Sequence, residues 1–564
     1  MLRKIECLLI NSLWFLLCLP KYMAFQRSIK DVKKTQEELL LRIIHKNSNT
    51  TFGREHNFSD ISSINDFRKK IKATSYDFYR KYIESILEGK ENILSRDRVK
   101  SLIPSSGTTA PSKYIPFTEG LSKDFDSGIS PWIYDLFSMR KNLLLGSSYW
   151  SISPVTKKEK ELNDARVGFN DDSEYLGDLK KYLLNRIFSV PVEVSRIENM
   201  EAFRYATLLF LLKDKNLFLI SIWNPTFLSL LLRPLLDWKN MFVEDIHNGT
   251  IHPRMELNSE VRHMLERRLS KDKKRAKELD DLFKDWDDKR YPIYEKIWPN
   301  LKVISCWADG HAKNHLKDIK LLFPNVEIQP KGLLATEGIV SFPLIDENGC
   351  ALSINSHFFE FLPVDNNENE PILAHQVQKD KQYSVLITTS GGLYRYKLND
   401  TVEVVGFKKQ CPLIRFIGKD DNVVDLFGEK INERHISNIM EETIKKSGLK
   451  TSFLLMAPEK SEKESEYFYT TFIQLDGGNG NGRKLLRDLS CLVEEKILEN
   501  FHYKHCRNLG QLKESRFYII DQDEVPEDVY ISQCLSSDQK LGNIKPSLLS
   551  KKIGWSGTFN GEFV

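Results

Sequence analysis

Apolar residues that recur every three or four positions predict amphipathic helices in the N-terminal half of the chain. Residues 27 to 46 show this spacing among many lysines, and Ser63 begins a second stretch of the same kind. Asn224 followed by Pro225 favours a helix start, because asparagine caps free N–H groups and proline suits the first turn. We expect that helix to continue through Leu235.

Short apolar runs predict strands and, with them, the fold class. Leu217 to Trp223 is almost continuously apolar, which is typical of a strand buried on both faces. Further strands are predicted at residues 113–117, 302–305, 326–328, 332–335, 383–389, 401–405 and 413–417. The pattern predicts an α/β protein of mixed α+β character, in which helices flank the β-sheets of a large N-terminal domain.

The character of the chain changes after Gly418. Charge rises, the predicted elements become short, and residues 476–482 form a loop of glycine and asparagine. A chain of 564 residues also suits at least two domains. We therefore predict a large domain at residues 1–418 and a smaller α+β domain at residues 419–564.

Composition narrows the partners and the compartment. The chain has 82 basic and 78 acidic residues, a net charge of +4, so no basic face for nucleic acid is indicated. Its eight cysteines form no CxxC pair, which argues against a zinc ribbon or a disulfide framework. Reduced thiols are the simplest interpretation, and we expect a cytoplasmic protein.

The N-terminus carries an apolar stretch with two interpretations. Cys7 to Leu19 is mostly apolar and follows Arg3 and Lys4, as in the core of a targeting signal. Glu6 lies at its start, no A-x-A cleavage pattern follows, and the run is too short to span a bilayer unaided. It is either a buried first helix or a targeting or anchoring segment. We expect membrane contact, if any, only through this stretch.

A loop rich in hydroxyl groups is the first candidate for chemistry. Between two apolar segments lie Ser105, Ser106, Gly107, Thr108, Thr109, Ala110, Pro111, Ser112 and Lys113. Backbone N–H groups and hydroxyls in such a loop can surround a phosphate, with the lysine as a cation at its end. The alternative is a polar surface loop. The G-x-x-x-x-G-K-[ST] motif is absent from the sequence, which disfavours a P-loop NTPase.

Two later stretches offer acidic groups at the ends of predicted strands. Thr336 and Glu337 provide a hydroxyl for a phosphate and a carboxylate for Mg²⁺, which needs only one or two protein carboxylates beside phosphate oxygens. Asp400, in the stretch Tyr394–Asp400, suits a grip on the hydroxyls of a ribose. The alternatives are an ordinary strand-end carboxylate for Glu337 and a local turn for Asp400.

These stretches, in this order, resemble the GH3 family of acyl acid–amido synthetases, a branch of the adenylate-forming (ANL) enzymes. Residues 418–431 resemble the hinge of those enzymes, with Lys419, Asp421 and Lys430 in its charged positions, and Lys545-Pro546 resembles the terminal lysine motif. Smaller matches to the bacterial-type pattern are Thr51-Phe52-Gly53-Arg54, Phe358-Phe359-Glu360-Phe361 and Leu509-Gly510-Gln511-Leu512. The resemblance spans roughly residues 35 to 550.

The resemblance implies an ATP- and Mg²⁺-dependent ligase that forms an acyl-adenylate and transfers the acyl group to an amine, usually of an amino acid. It implies that Lys113 and Lys545 are catalytic cations and that Glu337 binds Mg²⁺. It assigns ATP binding to Ser105, Ser106, Gly107, Thr108, Thr109, Thr336, Asp400, Lys419 and Lys430. It also implies a C-terminal domain that rotates about Asp421. The alternatives are thioester formation with coenzyme A and a GH3-like scaffold without turnover.

Several positions depart from the family pattern. Asn399 replaces the glycine that precedes the ribose-binding aspartate, here Asp400. Among residues other than glycine, asparagine tolerates a positive φ best. Lys419 replaces arginine, which keeps the charge but loses the bidentate fork. Ser547 stands where arginine is usual. The identities of the acid and the amine are not predicted, because residues 130 to 330, where the acid pocket is expected, carry no motif. Trp307 is predicted to line that pocket from its position alone.

Overall fold

The computed structural model describes most of the chain and divides it into two compact units. The described residues are 2–105, 113–152, 183–284, 286, 293–309, 312–313, 316–364, 370–419, 423–461, 466–475, 482–536, 544 and 547–564. The first unit includes Met1–Leu398 and Val402–Phe416. The second includes Asn399–Thr401, Ile417–Gln539 and Ile544–Val564. The mixture of helices and sheets in the larger unit agrees with the predicted α/β class.

Thirteen described helices belong to the first unit. They are α1 (Leu2–Ser28), α2 (Val32–Lys46), α3 (Thr51–Glu55), α4 (Ile64–Lys70), α5 (Tyr76–Leu87), α6 (Glu119–Met139), α7 (Met200–Lys213), α8 (Pro225–Leu232), α9 (Leu235–Asn248), α10 (Ser259–Arg268), α11 (Lys273–Lys284), α12 (Ile293–Ile297) and α13 (Leu316–Leu322). Ser63 and Asn224 cap α4 and α8 with their side chains, as the sequence predicted. The helix expected to run through Leu235 ends at Leu232, because Pro234 interrupts it and α9 starts afresh.

Three groups of strands belong to the first unit, except for short segments at residues 399–401 and 417–419, which belong to the second unit. The strands are β1 (Val99–Ser105), β2 (Lys113–Thr118), β3 (Ser147–Trp150), β4 (Leu217–Ser221), β5 (Val303–Cys306), β6 (Glu327–Pro330), β7 (Leu334–Ala335), β8 (Gly338–Ile339), β9 (Ser341–Pro343), β10 (Cys350–Leu352), β11 (Phe358–Pro363), β12 (Ile372–Leu373), β13 (Gln382–Thr388), β14 (Tyr396–Lys408) and β15 (Cys411–Lys419). Two hairpins pair β1 with β2 and β7 with β8. Parallel strands β3-β4-β5-β6 form one sheet, and β12-β11-β13-β14-β15-β10-β9 form another.

Burial explains why the parallel sheet reads as apolar runs. Every residue of β4 is buried, as expected for a strand covered on both faces. The predicted strand at residues 302–305 is observed at Val303–Cys306, and it is also wholly buried. The two central strands of this sheet are therefore buried on both faces.

Helix α1 packs against the first unit along one face. The buried side chains are Cys7, Asn11, Trp14, Cys18 and Phe25. The Asn11 amide donates to the carbonyl oxygens of Leu144, at 3.1 Å, and Gly146, at 2.9 Å. Of the two interpretations of this stretch, a buried first helix therefore holds for one face only. Arg3–Ser28 also has the length and composition of a membrane span, with a mean hydropathy of 1.5, and is the one such helix in the described chain.

The second unit is a smaller α+β body. Its elements are β16 (Val423–Val424), β17 (Ile431–Asn432), α14 (Glu433–Ser447), β18 (Thr451–Lys460), β19 (Tyr467–Leu475), α15 (Gly482–Ile497), α16 (Phe501–Asn508), β20 (Arg516–Ile520), α17 (Pro526–Ser536) and β21 (Gly561–Phe563). Strands β18-β19-β20-β21 form a sheet in that order. Helices α14 and α15 pack on each other, and their apolar faces join one core with strand β19.

Candidate active site

The predicted phosphate loop connects the two strands of a hairpin. Ser105 pairs with Lys113 at the end of the β1–β2 ladder that is next to the loop. Residues 106–112 lie outside the described residues, so the parts assigned to Ser106, Gly107, Thr108 and Thr109 stay predictions. Lys113 is half-buried, and its Nζ lies 5.7 Å from the centre of the Tyr76 ring. A cation is thus held at the carboxyl side of the loop, where the sequence predicted one.

Thr336 and Glu337 form the turn of the β7–β8 hairpin, and a histidine behind the hairpin fixes its position. The Ile339 N–H donates to His357 Nε2 at 3.1 Å, and His357 Nδ1 lies 3.4 Å from the Asp124 carboxylate. A side chain at Gly338 would place its Cβ only 2.6 Å from His357 Nε2. Glycine is therefore needed after Glu337 because the backbone approaches the imidazole so closely.

Glu337 meets a residue of the Tyr394–Asp400 stretch. The Tyr396 hydroxyl donates to Glu337 Oε1 at 3.4 Å. Burial, together with the neighbouring Glu337 carboxylate, raises the pKa of Tyr396 far above its usual range, so its hydroxyl stays a donor. Glu337 is only half-buried. A half-exposed carboxylate of this kind is a hard oxygen ligand, so this residue fits Mg²⁺ held jointly with phosphate oxygens.

Asp400 and Lys419, from two separate motifs, form an ion pair in the second unit. Lys419 Nζ lies 2.9 Å from Asp400 Oδ1, and Asp400 is buried. Asn399 adopts a φ of 57°, the left-handed conformation for which the family uses glycine. Asn399 and Asp400 lie within β14 and not in a turn between strands, so Asp400 follows a left-handed residue inside the strand.

A buried carboxylate joins the smaller motifs, and sequence reasoning gave it no role. Glu360 is 1% exposed and accepts from Arg395 Nε at 2.7 Å, Arg395 Nη2 at 3.0 Å and Arg68 Nε at 2.7 Å. Arg395 also donates to the carbonyl oxygen of Ile71 at 2.7 Å. The signal was a single glutamate among the phenylalanines Phe358, Phe359 and Phe361 of β11, since a buried charge there must be paired. This pair anchors the start of β14, four residues before Asp400.

Aromatic packing completes the anchor. Tyr394 stacks on Phe52 with ring centres 4.9 Å apart, and its hydroxyl donates to the carbonyl oxygen of Leu94 at 2.7 Å. The Tyr79 hydroxyl accepts from the Tyr394 N–H at 2.9 Å. The Thr51–Arg54, Phe358–Phe361 and Tyr394–Arg395 stretches therefore meet, and their contacts support the start of the strand that carries Asp400.

Three tryptophans and a buried lysine enclose a pocket of about 30 Å³ beside the Thr336-Glu337 turn. Its lining residues are Ile129, Trp132, Trp150, Trp223, Lys331, Gly332, Leu334, Ile339, Ser341, Phe342 and Pro343. Lys331 is 5% exposed, and its Nζ lies 3.8 Å from the centre of the Trp223 ring. Trp223 lines this pocket. Trp307, which the sequence suggested for the acid pocket, contacts Trp223, and the centres of these two rings are 5.7 Å apart.

The pocket offers apolar walls and one positive charge. Its volume holds about one or two water molecules, so a larger group requires the rings to part. Burial raises the pKa of the neighbouring Cys306 to about 12 although Lys331 opposes the shift, so this cysteine stays a thiol and is no nucleophile. The pocket suits an apolar molecule with an anionic end.

The remaining predicted residues belong to the hinge and to the terminal lysine motif. The Lys430 side chain is exposed, with a φ of 47°, and its neighbour Glu429 is the buried group of that turn. Glu429 accepts from the Tyr469 hydroxyl at 2.6 Å and from the Leu426 N–H at 2.9 Å. Asp421 and Lys545 lie outside the described residues. The hinge and the terminal lysine therefore stay predictions.

Family models match most of the large unit. The model of the GH3 family N-terminal domain matches residues 21–328, and that of the GH3 family central domain matches residues 350–419. A solved structure titled AtGH3.15 acyl acid amido synthetase in complex with 2,4-DB superposes with a TM-score of 0.79 at 17% identity, over 95% of this chain and 94% of the other. That likeness shows a shared fold.

Similar plant proteins align over most of their length. Indole-3-acetic acid-amido synthetase GH3.8 of Oryza sativa subsp. indica is 24% identical over 439 residues, 73% of this chain and 70% of the relative. The 4-substituted benzoates-glutamate ligase GH3.12 of Arabidopsis thaliana is 23% identical over 573 residues, 91% of this chain and 94% of the relative. Because the two family models cover more than half of the sequence, the resemblance is confirmed and this chain belongs to the GH3 family.

Proposed function

We propose that the protein is an ATP-dependent ligase that activates a carboxylic acid as an acyl-adenylate and joins it to an amine. The proposed amine is that of an amino acid. One observation carries the proposal. The β7–β8 hairpin presents Thr336 and Glu337 in its turn, while its strands line the tryptophan pocket through Leu334 and Ile339. A carboxylate bound in this pocket therefore lies beside the groups that suit a nucleotide phosphate.

In the first half-reaction, a carboxylate oxygen attacks the α-phosphorus of ATP. The bond between the α-phosphorus and the bridging oxygen breaks, and pyrophosphate leaves. Thr336 contacts the α-phosphate, and Asp400 holds the ribose. Lys113 offsets the charge that builds on the phosphates, and such preorganised groups are worth about 10²–10³ in rate each.

The second half-reaction forms the amide. The amine nitrogen attacks the acyl carbon, the bond from that carbon to the phosphate oxygen breaks, and AMP leaves as the nitrogen loses a proton. We assign Lys545 as the cation of this part of the cycle. Lys419, which pairs with Asp400, also belongs to the nucleotide site.

Glu337 is the residue that would hold Mg²⁺ when ATP is bound. The ion would neutralise phosphate charge without any proton transfer. Tyr396 supports this role, because its hydroxyl points a hydrogen bond at the same carboxylate and keeps the carboxylate oriented. The other ligands would be phosphate oxygens and water.

We propose that the pocket beside the hairpin binds the acid, with Lys331 facing its carboxylate. The Trp132, Trp150 and Trp223 rings favour an apolar, planar acyl group, because aromatic surfaces bury large areas with little loss of entropy. The narrow volume favours a compact acid over a long chain. The protein would act in the cytoplasm, where ATP and amino acids are abundant.

Exchange of labelled pyrophosphate into ATP tests the first half-reaction. The expected result is exchange that depends on an added acid, found by screening compact aromatic and short aliphatic acids. Absence of exchange across a broad panel would favour a scaffold without turnover. If exchange occurs, product masses with amino acids and with coenzyme A separate amide formation from thioester formation.

A further inference from the structure

The outer face of α1 is an apolar stripe. The exposed large side chains are Ile5, Leu8, Leu9, Leu13, Leu16, Leu17 and Met23. Ile5, Leu9, Leu13 and Leu16 follow each other at spacings of four, four and three residues, so they lie along one side of the helix. Leu9 is 66% exposed and Leu16 is 58% exposed. Elsewhere in the described chain, exposed large apolar residues are scattered, as on ordinary surfaces.

The opposite side of the same helix is fixed in the core of the first unit. Trp14 is 2% exposed and packs edge-on against Phe137, with ring centres 5.5 Å apart. Asn11 is buried and donates to backbone carbonyl oxygens. Removing α1 from the core would strip these contacts, so the helix cannot both keep its packing and cross a bilayer.

Charge at the ends of the stripe matches an anionic surface. Lys4, before the stripe, and Arg27, beyond its far end, are exposed. Arg3 instead donates to the carbonyl oxygen of Arg186, and Lys21 donates to the Ser127 hydroxyl, while Glu6 is the one acidic residue of α1. Glu6 already pairs with Arg3 at 3.1 Å. An apolar stripe bordered by lysine and arginine is the pattern of helices that lie in the plane of a membrane interface.

We propose that α1 docks the protein on a lipid surface, with its axis in the membrane plane and its leucine stripe inserted among the acyl chains. The exposed Lys4 and Arg27 side chains then meet anionic lipid headgroups, and the packed face keeps the helix attached to the first unit. The enzyme is a peripheral membrane protein held by one helix face.

Sedimentation with vesicles tests the proposal on the full chain. Vesicles of phosphatidylcholine alone and of phosphatidylcholine with phosphatidylserine serve as probes. We expect binding that strengthens with phosphatidylserine and weakens with salt, because the basic residues act through a screened field. The Leu9→Glu/Leu16→Glu double variant is expected to reduce the partition coefficient by about tenfold or more, since charges replace buried methyl groups.

A matched control uses leucines of similar exposure outside α1. Leu321 and Leu509 are 57% and 60% exposed, and the Leu321→Glu/Leu509→Glu variant is expected to bind vesicles within about twofold of the unchanged protein. Thermal melting of each variant checks that the fold is kept. Pyrophosphate exchange of each variant is measured without vesicles. This separate assay distinguishes a failure of membrane binding from a failure of the proposed ligase activity.

Four outcomes would overturn the proposal. The unchanged protein stays in the supernatant with both vesicle types. The control variant loses binding as fully as the α1 variant. Bound protein resists extraction by alkaline carbonate, which would indicate a spanning helix. Light scattering without lipid shows a dimer that Leu9→Glu/Leu16→Glu dissociates, which would assign the stripe to a second copy of the chain.

Discussion

Replacing Lys331 by methionine tests the assignment of the acid pocket most directly. The substitution removes the positive charge and keeps an apolar stem of similar length. Lys331 is 5% exposed beside three tryptophans, so a carboxylate bound to it forms a charge-assisted hydrogen bond in a desolvated place. Such a bond contributes about 1.5–3 kcal/mol, which is roughly ten- to 150-fold in affinity.

The expected result is a fall of that size in kcat/KM for the acid, with the KM for ATP unchanged. Stability is expected to change little, because a lost cation–π contact of about 2 kcal/mol is offset by the desolvation cost that the buried charge no longer carries. Initial rates of pyrophosphate release at varied acid and ATP measure both constants. Urea melts measure the free energy of unfolding.

Lys302 provides the control for Lys331. It lies just before β5, is exposed, and lines no part of the pocket. Lys302→Met is expected to leave both constants within about twofold of the unchanged enzyme. If Lys331→Met keeps the full kcat/KM for every active acid, or raises the KM for ATP as much as that for the acid, Lys331 does not face the carboxylate.

Three further predictions concern the nucleotide site and its support. Asp400→Ala is expected to abolish acid-dependent pyrophosphate exchange, because the ribose loses its anchor and Lys419 loses its partner; exchange at the normal rate would exclude the ribose role. Glu360→Gln is expected to lower the free energy of unfolding by about 3–5 kcal/mol in urea melts, since it leaves the buried Arg395 without its carboxylate and also unpairs the partly buried Arg68. Glu347→Gln, which breaks the more exposed pair with Lys408, is its control and should cost less than about 1 kcal/mol. Lys545→Ala is expected to slow product formation, and unchanged rates of both half-reactions would remove Lys545 from the mechanism.

The local elements were predictable because local chemistry decides them. Asn224 caps α8 through its own side chain, and Pro225 fits the first turn, so neighbouring residues suffice to start that helix. Leu217–Ser221 is buried throughout, because a strand covered on both faces favours apolar residues along nearly its whole length. The order of the motifs was enough to recognise the family, which the family models confirm.

The support of the site was not predictable, because its partners are distant in sequence. Glu360 lies 35 positions from Arg395 and 292 from Arg68, and no local pattern pairs them. Lys331 read as one of many lysines, and only folding placed it on the Trp223 ring. The role of a charged residue depends on the groups around it, and in this protein those groups come from elements that are distant in sequence.

Helix α1 illustrates which properties the sequence determines and which depend on tertiary contacts. The sequence determined an apolar helix at the N-terminus, because length and hydropathy are local properties. It left burial and anchoring as alternatives, since residues on every side of the helix are apolar. Packing against the first unit buried Trp14 and Cys18 and left Leu9 and Leu16 in solvent. Both apolar faces of the helix favour removal from water equally. Only the tertiary structure decides which face is buried, because it places a packing partner against one of them.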